Sequence, residues 1–422
     1  MTYSLKDIPI LIKNNKFLEA IKGLDNLDEA EKRTANFFFL KGISYLYLSE
    51  FNEAKINFSS ALRLDDQNPN FYFYRSYALS KLNRYEESIE DLKKAISLKP
   101  NAAEFYNNIA SYYQKIGANE EAINYFVKSI EKNRNSKEAL DGLLSVMSQT
   151  KDINVFNSNI VLAHNELNKI KIKYNANDYI DDKNIKNLLN TTNTIIEKHI
   201  DKIQFNRVQT YRETQLSPNC NRHLKIFKTH NVIPEYCFGC YKIQVEVKNV
   251  IELMKLYLIF DQFKFENNNS RKCMIELRPN IPGEYKGLIF CNSINECEII
   301  LQDLSEVLFK NFNKKLNCKI KRGCSEYTAK YPEYNRLDES AMIYKNDWKN
   351  IENNFDKKNP DMIFNKKLRP TINGITLFDS LVFRNWLAFA RMIGDESYKE
   401  ICDKDFYSKF VEEKIKLKQK YS

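Results

Sequence analysis

Small and large apolar residues recur every 34 positions across the first third of the chain. The small residues of this pattern are Ala20, Ala54, Ser88 and Ala122. Three further sets keep the same period: Phe17, Phe51, Tyr85 and Asn119; Leu24, Phe58, Leu92 and Phe126; and Leu27, Ala61, Ala95 and Ser129. A constant period of this length predicts stacked helix–turn–helix units, because the small residues let two helices approach and the large ones fill the gap to the next unit.

Short motifs fall at matching points of this period: Gly42-x-x-Tyr45, Leu64-Asp65 and, one unit later, Leu98-Lys99-Pro100. On these residues the chain resembles the tetratricopeptide repeat (TPR) family, with repeats up to about residue 136 that are closed by a capping helix at 137–149. Pro9 shortens the first helix, so the first repeat is a truncated cap. The TPR helical solenoid is therefore assigned to residues 1–150. The resemblance implies a protein-binding scaffold.

The resemblance also implies which side chains line the concave groove, because they occupy fixed positions on the first helix of each repeat. These positions hold Phe39, Ile43, Leu46 and Tyr47, then Phe73, Tyr77, Ser80 and Lys81, then Asn107, Ser111, Gln114 and Lys115. One end is apolar and aromatic, and the other is polar with two lysines. Such a groove suits a peptide with an apolar anchor and an acidic end.

Two alternatives bear on this groove. Asn108 occupies one position of the clamp with which some family members hold a terminal carboxylate. Phe39 and Ile43 occupy other clamp positions, so that ligand is not predicted. The aromatic face could instead pack on later helices of the same chain.

Residues 151–215 are predicted as a helical connector, with helices at 160–173 and 184–203. Beyond about residue 216 the pattern alternates between strands and helices: strands at 241–247, 272–277, 285–291 and 318–322, and helices at 251–260 and 293–311. This β-α-β-β-α-β order predicts a ferredoxin-like α+β domain over 216–330, with two helices on one face of an antiparallel sheet. Residues 331–422 are predicted as irregular and then helical at 377–393, where Gly394 ends the helix.

The net charge of +10 is unevenly distributed along the chain. Residues 1–150 carry 20 basic and 20 acidic side chains, whereas residues 220–330 carry 18 basic and 12 acidic ones. Any affinity for anions therefore belongs to the second half. No apolar run is long enough to span a bilayer, and the first residues lack the pattern of a secretory signal, so we expect a cytoplasmic protein with no membrane partner.

The nine cysteines all lie outside the repeats, and eight of them fall between residues 220 and 324. Their strongest pattern is Cys220-x-x-His223 followed by Cys237-x-x-Cys240. Two short-spaced ligand pairs joined by a loop are what a tetrahedral zinc ion requires, so we predict a structural zinc site at Cys220, His223, Cys237 and Cys240. Free thiols beside a surface histidine are one alternative. An iron–sulfur or redox role of the CxxC pair is another.

The remaining cysteines of the domain give a weaker signal. Cys273, Cys291, Cys297 and Cys318 lie among apolar neighbours on predicted strands or a helix, which is typical of packed core thiols. Cys324, within Lys321-Arg322-Gly323-Cys324, has no assigned role.

The strand at 285–291 also allows a nucleic-acid interpretation. Its residues 286–291 (KGLIFC) look like a weakened form of the third-strand motif of RNA-recognition domains, with Phe290 at one aromatic position and Leu288 at the other. That motif places aromatic rings on an open sheet face, where bases stack. Lys242, Arg278, Lys319 and Lys321 could attract phosphate, but RNA binding is not the favoured hypothesis.

Known catalytic fingerprints are missing from the sequence. It contains no GxGxxG, no P-loop, no HExxH and no GxSxG. We therefore interpret the chain as a TPR interaction adaptor with a cysteine-rich, zinc-stabilised second half. An RNA-binding protein with a degenerate sheet remains the first alternative, and an enzyme that uses a metal-bound or redox-active thiol remains the second.

Overall fold

The computed structural model describes residues 4–151, 153–154, 158–170, 178–212, 219–279, 281–363 and 373–421. The chain forms two compact units. The first comprises residues 1–146 and 358–363, and the second comprises residues 147–357 and 364–422.

The first unit is helical throughout its described residues. Its helices are α1 (Ile8–Lys13), α2 (Phe17–Asp25), α3 (Glu29–Lys32), α4 (Ala35–Tyr47), α5 (Phe51–Leu64), α6 (Pro69–Lys81), α7 (Tyr85–Leu98), α8 (Ala103–Ile116), α9 (Asn119–Lys132) and α10 (Lys137–Met147). Successive helices pack in pairs, α1 with α2, α4 with α5, α6 with α7 and α8 with α9, and α5 and α7 also contact the next pair. This is the stacked helix–turn–helix array that the sequence period predicts.

The periodic residues form the core of the array. Ala20, Ala54, Ser88 and Ala122 are fully buried, and so are Leu24, Phe58 and Leu92. Close packing explains the small residues on the facing helices as well. A Cβ added at Gly42 would stand 2.6 Å from Cε1 of Phe58, and a Cβ at Gly142 would overlap the ring of Phe126, so α10 lies directly on α9 as a cap.

A short segment from the far end of the sequence also belongs to the first unit. Residues 358–363 contain a 3-10 helix at Pro360–Met362 that packs on α6. Asn83 Nδ2 donates a hydrogen bond to the Pro360 carbonyl oxygen at 3.3 Å. The array therefore already contacts a segment of its own chain close to the C-terminal end of α6.

The second unit combines helices with one sheet. Its elements are α11 (Asn159–Leu167), α12 (Asp182–His199), α13 (Cys220–His230), α14 (Glu235–Phe238), β1 (Tyr241–Val247), α15 (Val250–Gln262), β2 (Arg271–Ile275), β3 (Tyr285–Cys291), α16 (Ile294–Phe312), β4 (Asn317–Arg322), α17 (Trp348–Lys358), α18 (Leu377–Ile393), α19 (Tyr398–Ile401) and α20 (Lys409–Tyr421), with a 3-10 helix at Pro332–Asn335.

Several of these elements differ from the sequence predictions. The helix predicted over 160–173 ends at Leu167, and residues 171–173 lie outside the described residues. The helix predicted over 184–203 ends at His199 because Ile200 adopts an extended backbone. Helix α17 was predicted as irregular. Its sequence is mostly polar, and only Trp348, Glu352 and Phe355 are buried, so its apolar period is too sparse to recognise.

The sheet has the strand order β2-β3-β1-β4, and each neighbouring pair is antiparallel. Helix α15 contacts β2 and β3, and α16 contacts β1, β3 and β4. The approach of α15 is close because Gly287 in β3 has no side chain. A Cβ there would stand 2.6 Å from Leu256 and 2.7 Å from Phe260. The inward strand residues Ile243, Val245 and Ile289 are fully buried beneath the helices.

Most residues of helix α18 are buried. This helix also holds residues 205–212, which precede α13 in the chain, through side-chain hydrogen bonds. Trp386 Nε1 donates to the Val208 carbonyl at 2.9 Å, and Asn385 Nδ2 donates to the Phe205 carbonyl at 3.0 Å. Arg212, at the end of this segment, is buried and donates to Asp261 at 2.6 Å and to Asp379 at 3.2 Å. Charged hydrogen bonds thus join the segment to α15 and α18.

Candidate functional site

The apolar end of the predicted groove lies on α4, where one side chain remains exposed. Phe39 is half-buried, with its ring centre 5.0 Å from that of Phe71, and Ile43 is buried. Tyr47 is 61% exposed and stacks on Phe17 with ring centres 4.9 Å apart. Phe39 and Ile43 therefore serve the core of the array, while Tyr47 presents an aromatic surface.

The next repeat offers a second exposed ring on α6. Phe73 is half-buried against Phe105, with ring centres 5.0 Å apart. Tyr77 is 39% exposed, and Lys81 Nζ lies 5.3 Å from the centre of its ring. Lys81 and Tyr77 thus form a cation–π interaction, which is favourable. Ser80 is buried and donates its hydroxyl to the Tyr77 carbonyl.

The polar end of the groove lies on α8, where Asn107, Ser111, Gln114 and Lys115 are all half-buried. Ser111 Oγ donates to the Asn107 carbonyl at 3.0 Å. The side-chain oxygen of Asn107 is buried and accepts no hydrogen bond from the described residues. A buried acceptor without a donor costs about 1–3 kcal/mol.

Tyr106, Tyr113 and Tyr125 form a second aromatic cluster on the last repeat, which the predicted groove does not include. Tyr113 and Tyr125 stack with ring centres 5.4 Å apart, and Tyr106 lies 6.3 Å from Tyr125. Lys93 Nζ lies 5.9 Å from the centre of the Tyr113 ring, and Lys128 Nζ lies 5.2 Å from that of Tyr125. These residues come from α7, α8 and α9, so only the helix pairing brings them together.

The predicted zinc ligands lie around the start of β1. Cys220 is the first residue of α13, Cys237 lies in α14, and Cys240 precedes β1. Cys324 comes close to the same place because β1 and β4 pair: the Gly323 amide donates to the Cys240 carbonyl at 2.9 Å. A Cβ at Gly323 would stand 2.3 Å from Cys240 Sγ, so a side chain there would displace that thiol.

These four thiols influence one another electrostatically. Burial, followed by the neighbouring Cys220, raises the pKa of Cys240 to about 11 and that of Cys324 to about 12. Burial also raises the pKa of Cys220 and of Cys237, whose Sγ lies 3.3 Å from Tyr327 Oη. Thiols with a raised pKa are protonated at neutral pH and are weak nucleophiles.

His223 is engaged differently from these thiols. Its ring stacks on Tyr236 with centres 5.3 Å apart, and burial followed by the charge of Arg222 lowers its pKa to about 4. Among the residues that the structure describes, no group of three or more His, Cys, Asp or Glu side chains is arranged to hold a metal ion. The zinc site therefore remains a prediction from the spacing.

The other cysteines of the sheet behave as core residues. Cys273, Cys291 and Cys297 are buried, and Cys318 is half-buried. Cys291 and Cys297 share a hydrogen bond between β3 and α16. All nine cysteines are unbridged.

The sheet face opposite the helices is partly covered. Leu288 and Gln244 are 6% and 7% exposed, whereas Phe290 is half-buried. A base-stacking platform needs exposed rings, and this face offers only one partly exposed ring on the strands. Burial lowers the pKa of Lys242 and of Lys272, both of which lie on this face.

Two family models match the array. Residues 77–117 match a TPR repeat model, and residues 103–136 match a tetratricopeptide repeat model. The chain thus carries TPR repeats, as the 34-residue period predicts. No curated protein matches the chain.

Several solved structures are similar to about a third of this chain or less. The crystal structure of MamA is 19% identical, with a TM-score of 0.32 over 33% of this chain and 81% of MamA. YrrB, "a TPR protein with an unusual peptide-binding site", is 21% identical, with a TM-score of 0.32 over 34% of this chain and 74% of YrrB. The first TPR of Spaghetti (RPAP3) bound to an HSP90 peptide is 21% identical, with a TM-score of 0.27 over 27% of this chain and 91% of that one.

No helix in the described part of the chain is both long and apolar enough to cross a bilayer.

Proposed function

We propose that the chain is an interaction adaptor whose TPR array holds a peptide segment of a protein partner. The observation that carries this proposal is the exposure of Tyr47 and Tyr77, at 61% and 39%, on the first helices of consecutive repeats. A core position would bury these rings, whereas a binding surface uses exposed Tyr side chains as rigid anchors.

The polar end of the groove predicts the polar and acidic features of the bound peptide. Asn107 and Ser111 are half-buried polar side chains at groove positions on α8, which suits a polar part of the peptide. Lys81 and Lys115 add positive charge at groove positions on α6 and α8. The matching peptide is therefore extended or helical, with an apolar or aromatic residue toward α4 and α6 and an acidic residue toward α8.

A displayed peptide library selected on the full chain tests this function. The expected outcome is a set of peptides that share an apolar anchor and an acidic residue and that fail to bind a Tyr47→Ala/Tyr77→Ala variant. Ile56→Ala is the matched control, because Ile56 is 52% exposed on the second helix of the same repeat as Tyr47. Peptides that bind the double variant as well as the parent chain would refute the groove as the binding surface.

Within the second unit, the sheet with α15 and α16 is proposed to be the ferredoxin-like domain predicted for residues 216–330. Support comes from the strand order β2-β3-β1-β4 with α15 and α16 packed against it. The nine unbridged cysteines fit a reducing compartment and so support a cytoplasmic location.

A zinc ion at the start of β1 is part of the proposal. Cys220, Cys237 and Cys240 are three of its ligands, and the backbone pairing of Cys240 with Gly323 favours Cys324 over His223 as the fourth. Metal analysis of the purified chain tests it, with Cys318→Ser as a matched control. We expect one zinc atom per chain that Cys324→Ser removes and His223→Ala retains. Absence of zinc from the parent protein would refute the site.

A further inference from the structure

Three lysines gather on the sheet face that points away from α15 and α16. The antiparallel register places Lys242 of β1 directly opposite Lys321 of β4 and opposite Phe290 of β3. Lys272 of β2 completes the group, since its Nζ lies 5.9 Å from the centre of the Phe290 ring. The three side chains come from three different strands, and Phe290 lies between Lys272 and Lys242 on this face.

The hydrogen-bond acceptors of these lysines among the described residues are neutral. Lys242 Nζ donates to the Gly323 carbonyl at 2.9 Å, and Lys272 Nζ donates to Gln209 Oε1 at 3.1 Å. Lys321 Nζ donates to Gln244 Oε1 at 3.3 Å. Within the described ranges, none of the three forms an ion pair.

The nearby carboxylates Glu276 and Glu326 already form ion pairs with other cations. Glu276 binds Arg278 at 2.8 Å and Lys286 at 3.1 Å. Glu326 lies 3.8 Å from Arg278 and interacts with Lys242 and Lys272 as well, so it is shared by at least three cations. The face therefore carries an excess of positive charge.

This arrangement of lysines destabilises the folded state for two reasons. Like charges directly opposite each other on neighbouring strands are destabilising. Lys242, Lys272 and Lys321 are also half-buried, and their neutral acceptors and the shared Glu326 replace only part of the hydration that burial removes. A bound anion would supply the missing charge.

We propose that Lys242, Lys272 and Lys321 form a binding site for a small phosphate-type anion, either inorganic phosphate or a phosphate monoester. Three ammonium groups from three strands can each donate to a different phosphate oxygen. Phe290 lies at the centre of the site and provides a ring for the organic group of a monoester. The near-complete burial of Leu288 and Gln244 favours a small ligand over a stacked polynucleotide.

Thermal unfolding of the full chain at constant ionic strength tests this site, with inorganic phosphate and phenyl phosphate as probes. Each probe should raise the midpoint in a saturable manner, because a ligand that binds only the folded state stabilises it. Lys242→Gln and Lys272→Gln should weaken the response about tenfold or more, equivalent to about 1.4 kcal/mol. Lys319→Gln is the matched control, since Lys319 lies on the same face, 3.8 Å from Glu246. A stronger response to phenyl phosphate than to phosphate would identify a monoester site.

A second variant keeps the test decisive if the first two fold poorly. Lys321→Gln removes the like charge opposite Lys242, so it should raise the midpoint without phosphate and reduce the gain on adding it. The same phosphate response in all variants would overturn the proposal. Binding of an RNA oligonucleotide but not of phosphate would also overturn it. So would the absence of a phosphate effect together with loss of zinc in Lys242→Gln, because the lysines would then serve to neutralise the nearby thiolates.

Discussion

Gly42 lies directly against the ring of Phe58, so close that a methyl group on Gly42 would stand 2.6 Å from Cε1 of that ring. This contact joins α4 to α5 within one repeat. Thirty-four residues later the same two positions are occupied by Ser76 and Leu92, both fully buried. A larger residue on the first helix thus accompanies a smaller one on the second, as close packing of the two helices requires.

Gly42→Ser is therefore expected to destabilise the array by about 1–3 kcal/mol through overpacking. Combining it with Phe58→Leu should recover part of that loss, because the double variant reproduces the pair found in the next repeat. Urea unfolding followed by circular dichroism measures the change, and amide hydrogen exchange of α4 and α5 locates it. If the loss of unfolding free energy in the double variant equalled the sum of the losses in the two single variants, the proposed complementarity of the two positions would be wrong.

Arg212 should be essential to the second unit. Its replacement by Met leaves Asp261 and Asp379 buried without their cation, and removing one partner of a buried ion pair costs about 3–5 kcal/mol. Tryptophan fluorescence during urea unfolding reports on this unit, since Trp348 and Trp386 are the two tryptophans of the chain.

Arg391→Met is the control for this experiment, because Arg391 is 43% exposed and lies 3.5 Å from Asp405. An exposed pair of this kind contributes about 0–1 kcal/mol. Equal losses in the two variants would contradict the assignment of Arg212 as a buried anchor.

His164 should make the stability of the second unit depend on pH. Burial lowers its pKa from 6.5 to about 4, so the unfolded chain binds a proton in this range that the folded chain does not. The stabilisation is complete above pH 6.5 and is lost as the pH falls toward 4, by about 3 kcal/mol in total.

His164→Gln isolates this effect, because glutamine does not titrate and can still bond to Asn168, which lies 2.8 Å from His164 Nε2. The free energy of unfolding should fall more steeply between pH 6.5 and 4 in the parent chain than in the variant. If the free energies of unfolding of the two proteins changed in parallel with pH, His164 would be excluded as the source of the pH dependence.

The sequence predicts the array well because its information is periodic and local. Ala20, Ala54 and Ala122 are buried as the spacing indicates, and α10 caps the last repeat. The same reasoning locates the strands and places the end of α18 at Gly394, which adopts the left-handed conformation that terminates helices.

What the sequence does not predict depends on contacts between distant segments. Arg212 meets Asp379 only after the residues before α13 pack on α18. Cys324 reaches Cys240 through the β1–β4 register, which could have been inferred once those strands were paired. The exposure of Tyr47 and Tyr77 but not of Ile43 follows from side-chain packing, which a repeat pattern cannot resolve.

The central claim is that the groove of the TPR array binds a peptide through Tyr47 and Tyr77. Its most direct test is the dissociation constant of one library-selected peptide, measured by calorimetry on the parent chain, on Tyr77→Ala and on Ile56→Ala. Loss of an aromatic anchor costs about 2 kcal/mol, so Tyr77→Ala should weaken binding about thirtyfold while Ile56→Ala leaves it unchanged. Equal affinities for all three proteins would contradict the account.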